Sequence, residues 1–194
     1  MTYIIATENK GKILEISEIL KNLGLNAVTR NELGINISIE ETGHTFYDNA
    51  LIKAKTICNI SGLPSIADDS GLCVDALDGA PGVYSSSYGG QELSDTERCG
   101  FLLSKMGKME HRDAKFVCNI VCFFPDGKIL ATEGECKGYI SDKPRGTSGF
   151  GYDPVFIPEG YNKCLAELTM EEKNQISHRG KALRAFSGLL TDYV

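Results

Sequence analysis

The stretch 65-SIADDSG-71 begins with apolar, strand-like residues and ends in two adjacent carboxylates, Asp68 and Asp69. Neighbouring acids repel each other, so the pair is unusual for a strand that only has to end. Successive side chains of an extended chain point to opposite faces, and we therefore expect one carboxylate to enter a cleft while the other braces the backbone. A plain strand end with an Asx-type turn is the alternative interpretation.

The residues on either side of this stretch predict an α/β fold, because short apolar runs alternate with helix-like stretches. Residues 2–7 are interpreted as a buried strand, and the apolar spacing of residues 9–24 predicts a helix that Gly24 ends. A second helix is expected to begin at a Thr45 cap. Residues 72–77 are interpreted as the other arm of a hairpin that starts at the opening stretch.

The second half of the chain predicts long antiparallel strands followed by helices. Residues 115–140 contain Pro-Asp-Gly at positions 125–127 between two strand-like runs, which is a turn signal. Arms of that length favour a mixed sheet. Helices are expected over residues 96–105 and after caps at Thr169 and Ser177.

Length and composition are typical of a cytoplasmic enzyme domain. We interpret the 194 residues, which lack repeats and flexible linkers, as one domain of two lobes, 1–194, with a sizeable core. The net charge of −6 argues against a nucleic-acid partner, which would need a dense basic surface. No apolar run approaches the roughly 20 residues of a membrane span, and no signal peptide is evident, so a membrane partner is not expected. Seven cysteines without CxxC spacing are expected to be reduced and mostly buried.

The turn 7-TENKGK-12 joins the first predicted strand to the first helix. Free backbone N–H groups and the positive end of the helix dipole favour an anion there, and Lys10 and Lys12 add positive charge. Lys53 lies one helical turn after Asn49 and is in a position to reach a phosphate. An ordinary capped helix start and a surface lysine are the alternative interpretations.

Four carboxylates offer hard oxygen ligands for magnesium, namely Glu40 and Glu41 ahead of the second helix and the Asp68–Asp69 pair. Magnesium in proteins usually takes one or two carboxylates together with substrate phosphates and waters. Spacing does not distinguish adjacent acids, so the choice between Glu40 and Glu41 stays open.

The run 146-GTSGFGYDP-154 is the most unusual in the chain. Its glycines allow close approach of the backbone to a ligand, while Phe150 and Tyr152 supply flat faces on which a base can stack. Asp153 precedes a proline and is held extended. A tight turn with core aromatics is the alternative. Further along, a helix-to-helix junction concentrates polar side chains: Lys173, Ser177, His178 and Arg179.

In this order and spacing, the motifs resemble the inosine triphosphate pyrophosphatase family of house-cleaning nucleotide hydrolases. They are T-x-N-x-x-K at 7–12, "EETGHTFYDNALIKA", "ADDSGL" with "GAPGVYSSSY", "GFGYDP" and "AELTMEEKNQISHR", and they run from residue 2 to about 185. The resemblance implies a long mixed β-sheet with flanking helices, two lobes enclosing a central nucleotide-binding cleft, and a homodimer.

The resemblance also implies hydrolysis of ITP, dITP and XTP to the monophosphate and pyrophosphate with Mg²⁺. It assigns Glu40 and Asp69 to the metal, Asp69 to proton acceptance from the attacking water, and Ser70 to a position against the substrate. The triphosphate is assigned to Thr7, Glu8, Asn9, Lys10, Gly11, Lys12 and Lys53. Base and sugar are assigned to Phe150, Gly151, Tyr152, Asp153, Lys173, His178 and Arg179.

Glu8 departs from the family's pattern, which more often has a small or neutral residue there. A carboxylate repels phosphates, so we expect its side chain to face away. Arg179, with five N–H donors, is expected to read the 6-keto oxygen of the base. Two alternatives remain: a phosphatase that forms an aspartyl-phosphate, and a nucleotide-sensing module that binds without cutting.

Overall fold

A computed structural model describes residues 2–191, which form six strands and five helices. The strands are β1 (Thr2–Ile5), β2 (Asn26–Thr29), β3 (Ser65–Val74), β4 (Asp113–Phe123), β5 (Ile129–Ile140) and β6 (Phe156–Pro158). The helices are α1 (Lys10–Asn22), α2 (Phe46–Ser61), α3 (Asp95–Met106), α4 (Met170–Ile176) and α5 (His178–Thr191).

The strands form one mixed sheet in the order β2-β1-β3-β4-β5-β6. β1 pairs in parallel with β2 and β3, whereas β5 and β6 are antiparallel. The predicted mixed α/β sheet is therefore confirmed. The turn between β4 and β5 is also where the sequence predicted it, since the Gly127 N–H donates to the Phe124 carbonyl at 2.9 Å.

The chain divides into two compact units, of which the first comprises described residues 2–69, 118–134 and 179–191. Apolar side chains cover both faces of its strands, as expected where parallel strands are buried. On one face, α1 and α5 pack against β1, β3 and β4, with core residues Tyr3, Ile16, Leu20, Ile66, Leu183 and Phe186. On the other face, α2 packs with core residues Ile4, Ala50, Ala54, Ile57 and Ala67.

The second unit comprises residues 70–117 and 135–178 and has a core of its own. One side of α3 contributes buried Cys99, Leu102 and Met106. These side chains pack with residues from the strand portions of this unit and from its loops, including Leu72, Phe116, Ile140, Tyr152, Phe156 and Leu165.

The helix ends follow the predicted sequence signals. The Thr45 hydroxyl accepts from the Asp48 N–H at 3.1 Å at the start of α2, and Thr169 and Glu172 form a complete capping box at the start of α4. Gly24, just beyond α1, has a φ of +70°, a conformation that favours glycine. These three predictions are confirmed.

The interpretation of residues 72–77 as a second hairpin arm is wrong. β3 continues through the opening stretch to Val74, and residues 75–77 form a short 3₁₀ turn. Leu72 and Val74 are fully buried, so the alternating pattern of the strand does not stop at the two acids. The strand tolerates both carboxylates because each is paired with a cationic side chain, as described below.

No helix among residues 2–191 is both long and apolar enough to cross a bilayer. All seven cysteines carry free thiols, and six of them are buried. Cys118 and Cys122 lie in one apolar cluster on β4, and the prediction of reduced, mostly buried cysteines is confirmed.

Candidate active site

Asp68 and Asp69 project to opposite faces of β3. The Asp68 carboxylate contacts Lys12 of α1 and Arg179 of α5, on the face that those two helices cover. The Asp69 carboxylate contacts Lys53 of α2 on the other face. The two-residue alternation of an extended chain therefore separates two adjacent acids into two environments.

Asp68 is fully buried in a network of charges. Its Oδ2 atom accepts hydrogen bonds from Nε and Nη2 of Arg179 at 3.2 and 3.1 Å, and lies 3.1 Å from Nζ of Lys12. Nη1 of Arg179 donates to the buried carboxylate of Glu15. Burial by itself would raise the pKa of Asp68, but the positive charges of Lys12, Arg179 and Lys53 outweigh it and hold the pKa below its ordinary value. Asp68 therefore carries a fixed negative charge.

Asp69 of β3 contacts a smaller set of polar side chains, which lie on α2 and in the segment before it. Its Oδ1 atom is 3.2 Å from Nζ of Lys53, and its Oδ2 atom accepts from Nδ2 of Asn49 at 3.3 Å. Lys53 also donates to Glu41 at 3.0 Å. Asn49 and Lys53 are one helical turn apart, which brings both side chains to the same carboxylate.

Asp69 has a pKa above its ordinary value, in contrast to Asp68. Burial is the largest cause of the increase. Lys53 and Lys12 oppose it, while the negative charges of Glu41 and Asp68 add to it. A carboxylate with a raised pKa is the better proton acceptor of the two, so the pair divides into a fixed charge and a candidate base.

The N-terminal turn is ordered by its own side chains. The Thr7 hydroxyl accepts from the Asn9 N–H at 3.2 Å, and the Asn9 amide oxygen accepts from the Lys12 N–H at 3.1 Å at the start of α1. Lys10 is exposed, while the Glu8 carboxylate accepts from Nη2 of Arg30 at 2.7 Å. The turn thus combines a helix N-terminus with two lysines and one neutralised acid.

The charges of this site leave room for a divalent cation. Its four carboxylates, Glu15, Glu41, Asp68 and Asp69, contact three cationic side chains, Lys12, Lys53 and Arg179. Glu40 and Glu41 are both exposed, and Glu41 is the one that contacts Lys53. Residues 2–191 contain no cluster of three or more His, Cys, Asp or Glu side chains able to hold a metal alone. A site with only one or two carboxylate ligands fits magnesium, because substrate phosphates and waters can supply the remaining ligands.

In the second unit, the turn around Phe150 is held by a buried ion pair. Nζ of Lys173 lies 2.7 Å from Oδ2 of Asp153 and 4.7 Å from the centre of the Phe150 ring. The same Asp153 oxygen accepts from the Phe150 N–H at 3.0 Å. Gly149 has a φ of +77°, and a Cβ atom there would collide with the Asp153 carboxylate. Gly149 and the Lys173–Asp153 ion pair together hold the half-buried Phe150 ring in place.

The next residues of this turn are tied to the core. The Asp95 carboxylate accepts from the Gly151 N–H at 2.7 Å, and the Cys99 thiol lies 3.3 Å from the Gly151 carbonyl. The Tyr152 hydroxyl donates to the Ser85 carbonyl at 2.9 Å, and the residue is 4% exposed. Phe150 is therefore more accessible than Tyr152.

Two further predicted residues, His178 and Ser70, lie at the start of α5 and within β3. The buried His178 ring stacks on Phe116, with ring centres 4.7 Å apart and planes 11° apart. Ser70 directly follows Asp69 in β3 and is half-buried. Glu15 was not predicted from the sequence as a site residue, although its position three residues after Lys12 puts both side chains on one side of α1. Arg30 and Asp95 were also not predicted, because no local sequence motif marks them.

The sequence matches the model of the Ham1 family over residues 3–189. It is 47% identical over 186 residues to a Streptomyces coelicolor protein called dITP/XTP pyrophosphatase, covering 94% of this chain and 93% of that protein. A Bacillus subtilis protein of the same name is 45% identical over 189 residues, covering 96% of both. The fold matches the structure of the Staphylococcus aureus Ham1 protein with a TM-score of 0.90 and 38% identity, over 100% of both chains. A HAM1 protein from Coxiella burnetii also gives a TM-score of 0.90, with 40% identity over 99% of both chains.

Proposed function

The chain belongs to the Ham1 family, and on that premise we propose that it hydrolyses ITP, dITP and XTP to the monophosphate and pyrophosphate. The relatives called dITP/XTP pyrophosphatase, 45% and 47% identical over nearly their whole length, support this activity. The observation that carries the chemistry is the separation of Asp68 and Asp69 on opposite faces of β3, where Arg179 and Lys12 contact the first carboxylate and Lys53 and Asn49 contact the second. It meets the needs of a phosphoanhydride hydrolase, which must neutralise phosphate charge and activate a water.

We assign the triphosphate to Lys53 and the turn of residues 7–12. Lys53 stays charged because, although burial would lower its pKa, the carboxylates of Asp69, Asp68 and Glu41 raise it above its ordinary value. Asp69 accepts the proton of the attacking water. Ser70, the next residue of the strand, contacts the substrate.

We assign the cation, Mg²⁺, to Asp69 and one acid of the pair at positions 40 and 41. The contact of Glu41 with Lys53 favours Glu41 over the Glu40 that the sequence resemblance suggested. When bound, a divalent cation neutralises charge that develops on the phosphates. The protein's own lysines hold the phosphates in place for the water.

We assign base and sugar to residues 150–153 with Lys173, His178 and Arg179. The half-buried Phe150 ring, backed by Lys173, supports a stacking role. The two-lobed arrangement around a cleft and the homodimer stay proposals that follow from the family resemblance. The cytoplasmic location is a proposal that the free cysteine thiols support.

A panel of nucleoside triphosphates tests this function directly. The purified protein with Mg²⁺ is incubated with ITP, dITP, XTP, ATP and GTP, and pyrophosphate and orthophosphate are measured separately. We expect pyrophosphate from the first three and little from ATP or GTP. Orthophosphate alone would support the phosphatase alternative, and tight binding of dITP without any phosphate release would support a sensor.

A further inference from the structure

We infer that Arg30 is a positioning residue of the phosphate-binding turn: it neutralises Glu8 and so keeps residues 7–12 able to accept a triphosphate. The inference rests on the proposed function, in which this turn holds the phosphates of the substrate. Glu8 is the one acid within the turn, so its charge must be compensated if the turn is to attract an anion.

Glu8 and Arg30 emerge at the same edge of the sheet. Glu8 follows β1 and Arg30 follows β2, and these parallel strands are paired in register from Thr2 with Asn26 to Ile5 with Thr29. Their carboxyl ends therefore coincide, at the edge where open α/β sheets bind ligands. The Arg30 N–H continues this pairing by donating to the Ile5 carbonyl at 3.2 Å.

The contact between them joins a buried cation to an exposed anion. Arg30 is 4% exposed, whereas the Glu8 side chain is 58% exposed, and Nη2 of Arg30 donates to Oε1 of Glu8 at 2.7 Å. The same Nη2 atom donates to the Ile37 carbonyl, which anchors the guanidinium. The guanidinium is held inside, so the exposed partner, Glu8, is the one whose position is set by this contact.

The partners of Arg30 indicate a role in charge compensation more than in stability. Its Nε atom is buried without a hydrogen-bond partner among residues 2–191, an arrangement that costs stability. Arg98, which is equally buried, shows the opposite arrangement. Its guanidinium donates to the carbonyls of Tyr88, Gly90 and Leu93 and so ties one loop together.

Without Arg30, the turn would present an uncompensated carboxylate to a substrate with at least three negative charges. Repulsion of this kind acts on the bound phosphates before and during the reaction alike, so it weakens substrate binding and leaves the chemical step largely unaffected. The signature of Arg30 is therefore a change in KM with little change in kcat.

A double-mutant cycle on dITP hydrolysis tests the pair. We expect Arg30→Gln, which keeps amide donors for the Ile37 carbonyl and loses the charge, to raise KM about tenfold with kcat within about twofold. In a Glu8→Gln background the same substitution should change KM by less than about twofold, because no anion is left to neutralise. An equal rise of KM in both backgrounds would overturn the inference.

Arg98→Gln is the matched control, since it also removes a buried guanidinium. It should lower Tm and show no coupling to Glu8→Gln in KM. If Arg30→Gln does not fold, Glu8→Asp and Glu8→Gln replace it. The aspartate keeps the charge but, being one methylene shorter, holds it further from Arg30, so its KM should exceed that of Glu8→Gln by about fivefold or more. A KM for Glu8→Asp equal to or below that of Glu8→Gln would contradict the proposed role of Arg30.

The proposed function and the role of Arg30 can fail separately. A wild-type protein that releases no pyrophosphate from dITP would disprove the function. Calorimetric titration of the same variants with inorganic triphosphate would still test the pair, because it reports binding of phosphates without turnover. The expected weakening by Arg30→Gln, and its loss in the Glu8→Gln background, are the same.

Discussion

The two units each bury a carboxylate against a cation but surround the pair differently. In the first unit, Asp68 and Arg179 are 0% and 1% exposed and belong to a chain of charges that includes Lys12. In the second, Asp153 and Lys173 are 4% and 6% exposed and hold the backbone and ring of a single phenylalanine.

This difference matches the separate roles that the proposed function assigns to the two units. Many opposed charges that are close together suit a triphosphate and its cation, because they neutralise and orient phosphate oxygens. A single ion pair that fixes a half-buried aromatic ring suits a flat, uncharged base. In the proposed function, the first unit therefore supplies charge to the phosphates, and the second supplies an aromatic surface for the base.

The largest effect that this comparison predicts is that of Asp69→Asn in the first unit. The amide is nearly the same size but accepts no proton from water, so we expect kcat for dITP to fall by about 10²–10⁴-fold. Pyrophosphate release measures the loss, and circular dichroism checks that the fold persists. Asp142→Asn, at an exposed aspartate, is the control. Turnover within a few-fold of wild type would remove Asp69 from its assigned role.

Arg179→Met should have the next largest effect, on stability. It leaves the buried carboxylates of Asp68 and Glu15 without their shared partner, and loss of one member of a buried ion pair typically costs about 3–5 kcal/mol. Urea unfolding measures the change. If the free energy of unfolding falls by less than about 1 kcal/mol, the network does not depend on this guanidinium.

The same protein tests the base-reading role that the sequence suggested for Arg179. At least three of its N–H groups serve Asp68 and Glu15. A narrower ratio of kcat/KM for dITP over dATP would support a role at the base, and an unchanged ratio would limit Arg179 to the charge network.

A smaller effect is expected from Gly149→Ala in the second unit. Gly149 and Gly160 have φ values of +77° and +80°, but only at Gly149 would a Cβ atom meet another group, the Asp153 carboxylate. Both alanines carry a backbone strain of about 1–2 kcal/mol. We expect Gly149→Ala alone to raise KM for dITP, by about tenfold, because it displaces the group that holds Phe150. A similar KM in both variants would show that the turn does not position the base.

The fold was largely predictable because its signals are local. Apolar spacing located the helices, and Thr45 and Thr169 marked helix starts through contacts only three residues away. The end of β3 was not predictable in this way. Asp68 and Asp69 look like a strand end in sequence, and they are tolerated within the strand only because Arg179 and Lys53 arrive from distant helices.

The site was predictable where a motif carries it and not where it depends on distant pairing. The motifs pointed to Lys12, Lys53 and Asp69, which lie in the charged network of the first unit. Glu15 and Arg30 have no motif, and their partners are 164 and 22 residues away in the chain. Their importance follows from burial and pairing, which a single sequence does not display.

The division of labour between the units is tested most directly by comparing dITP with inorganic triphosphate, which has phosphates but no base. Dissociation constants of both ligands are measured by calorimetry with Mg²⁺ for Lys53→Met and Phe150→Ala, with Asp69→Asn as the background that prevents turnover. We predict that Lys53→Met weakens both ligands by the same factor. Phe150→Ala should weaken dITP by about 1–3 kcal/mol and leave inorganic triphosphate unchanged. Equal weakening of both ligands by Phe150→Ala would contradict the account.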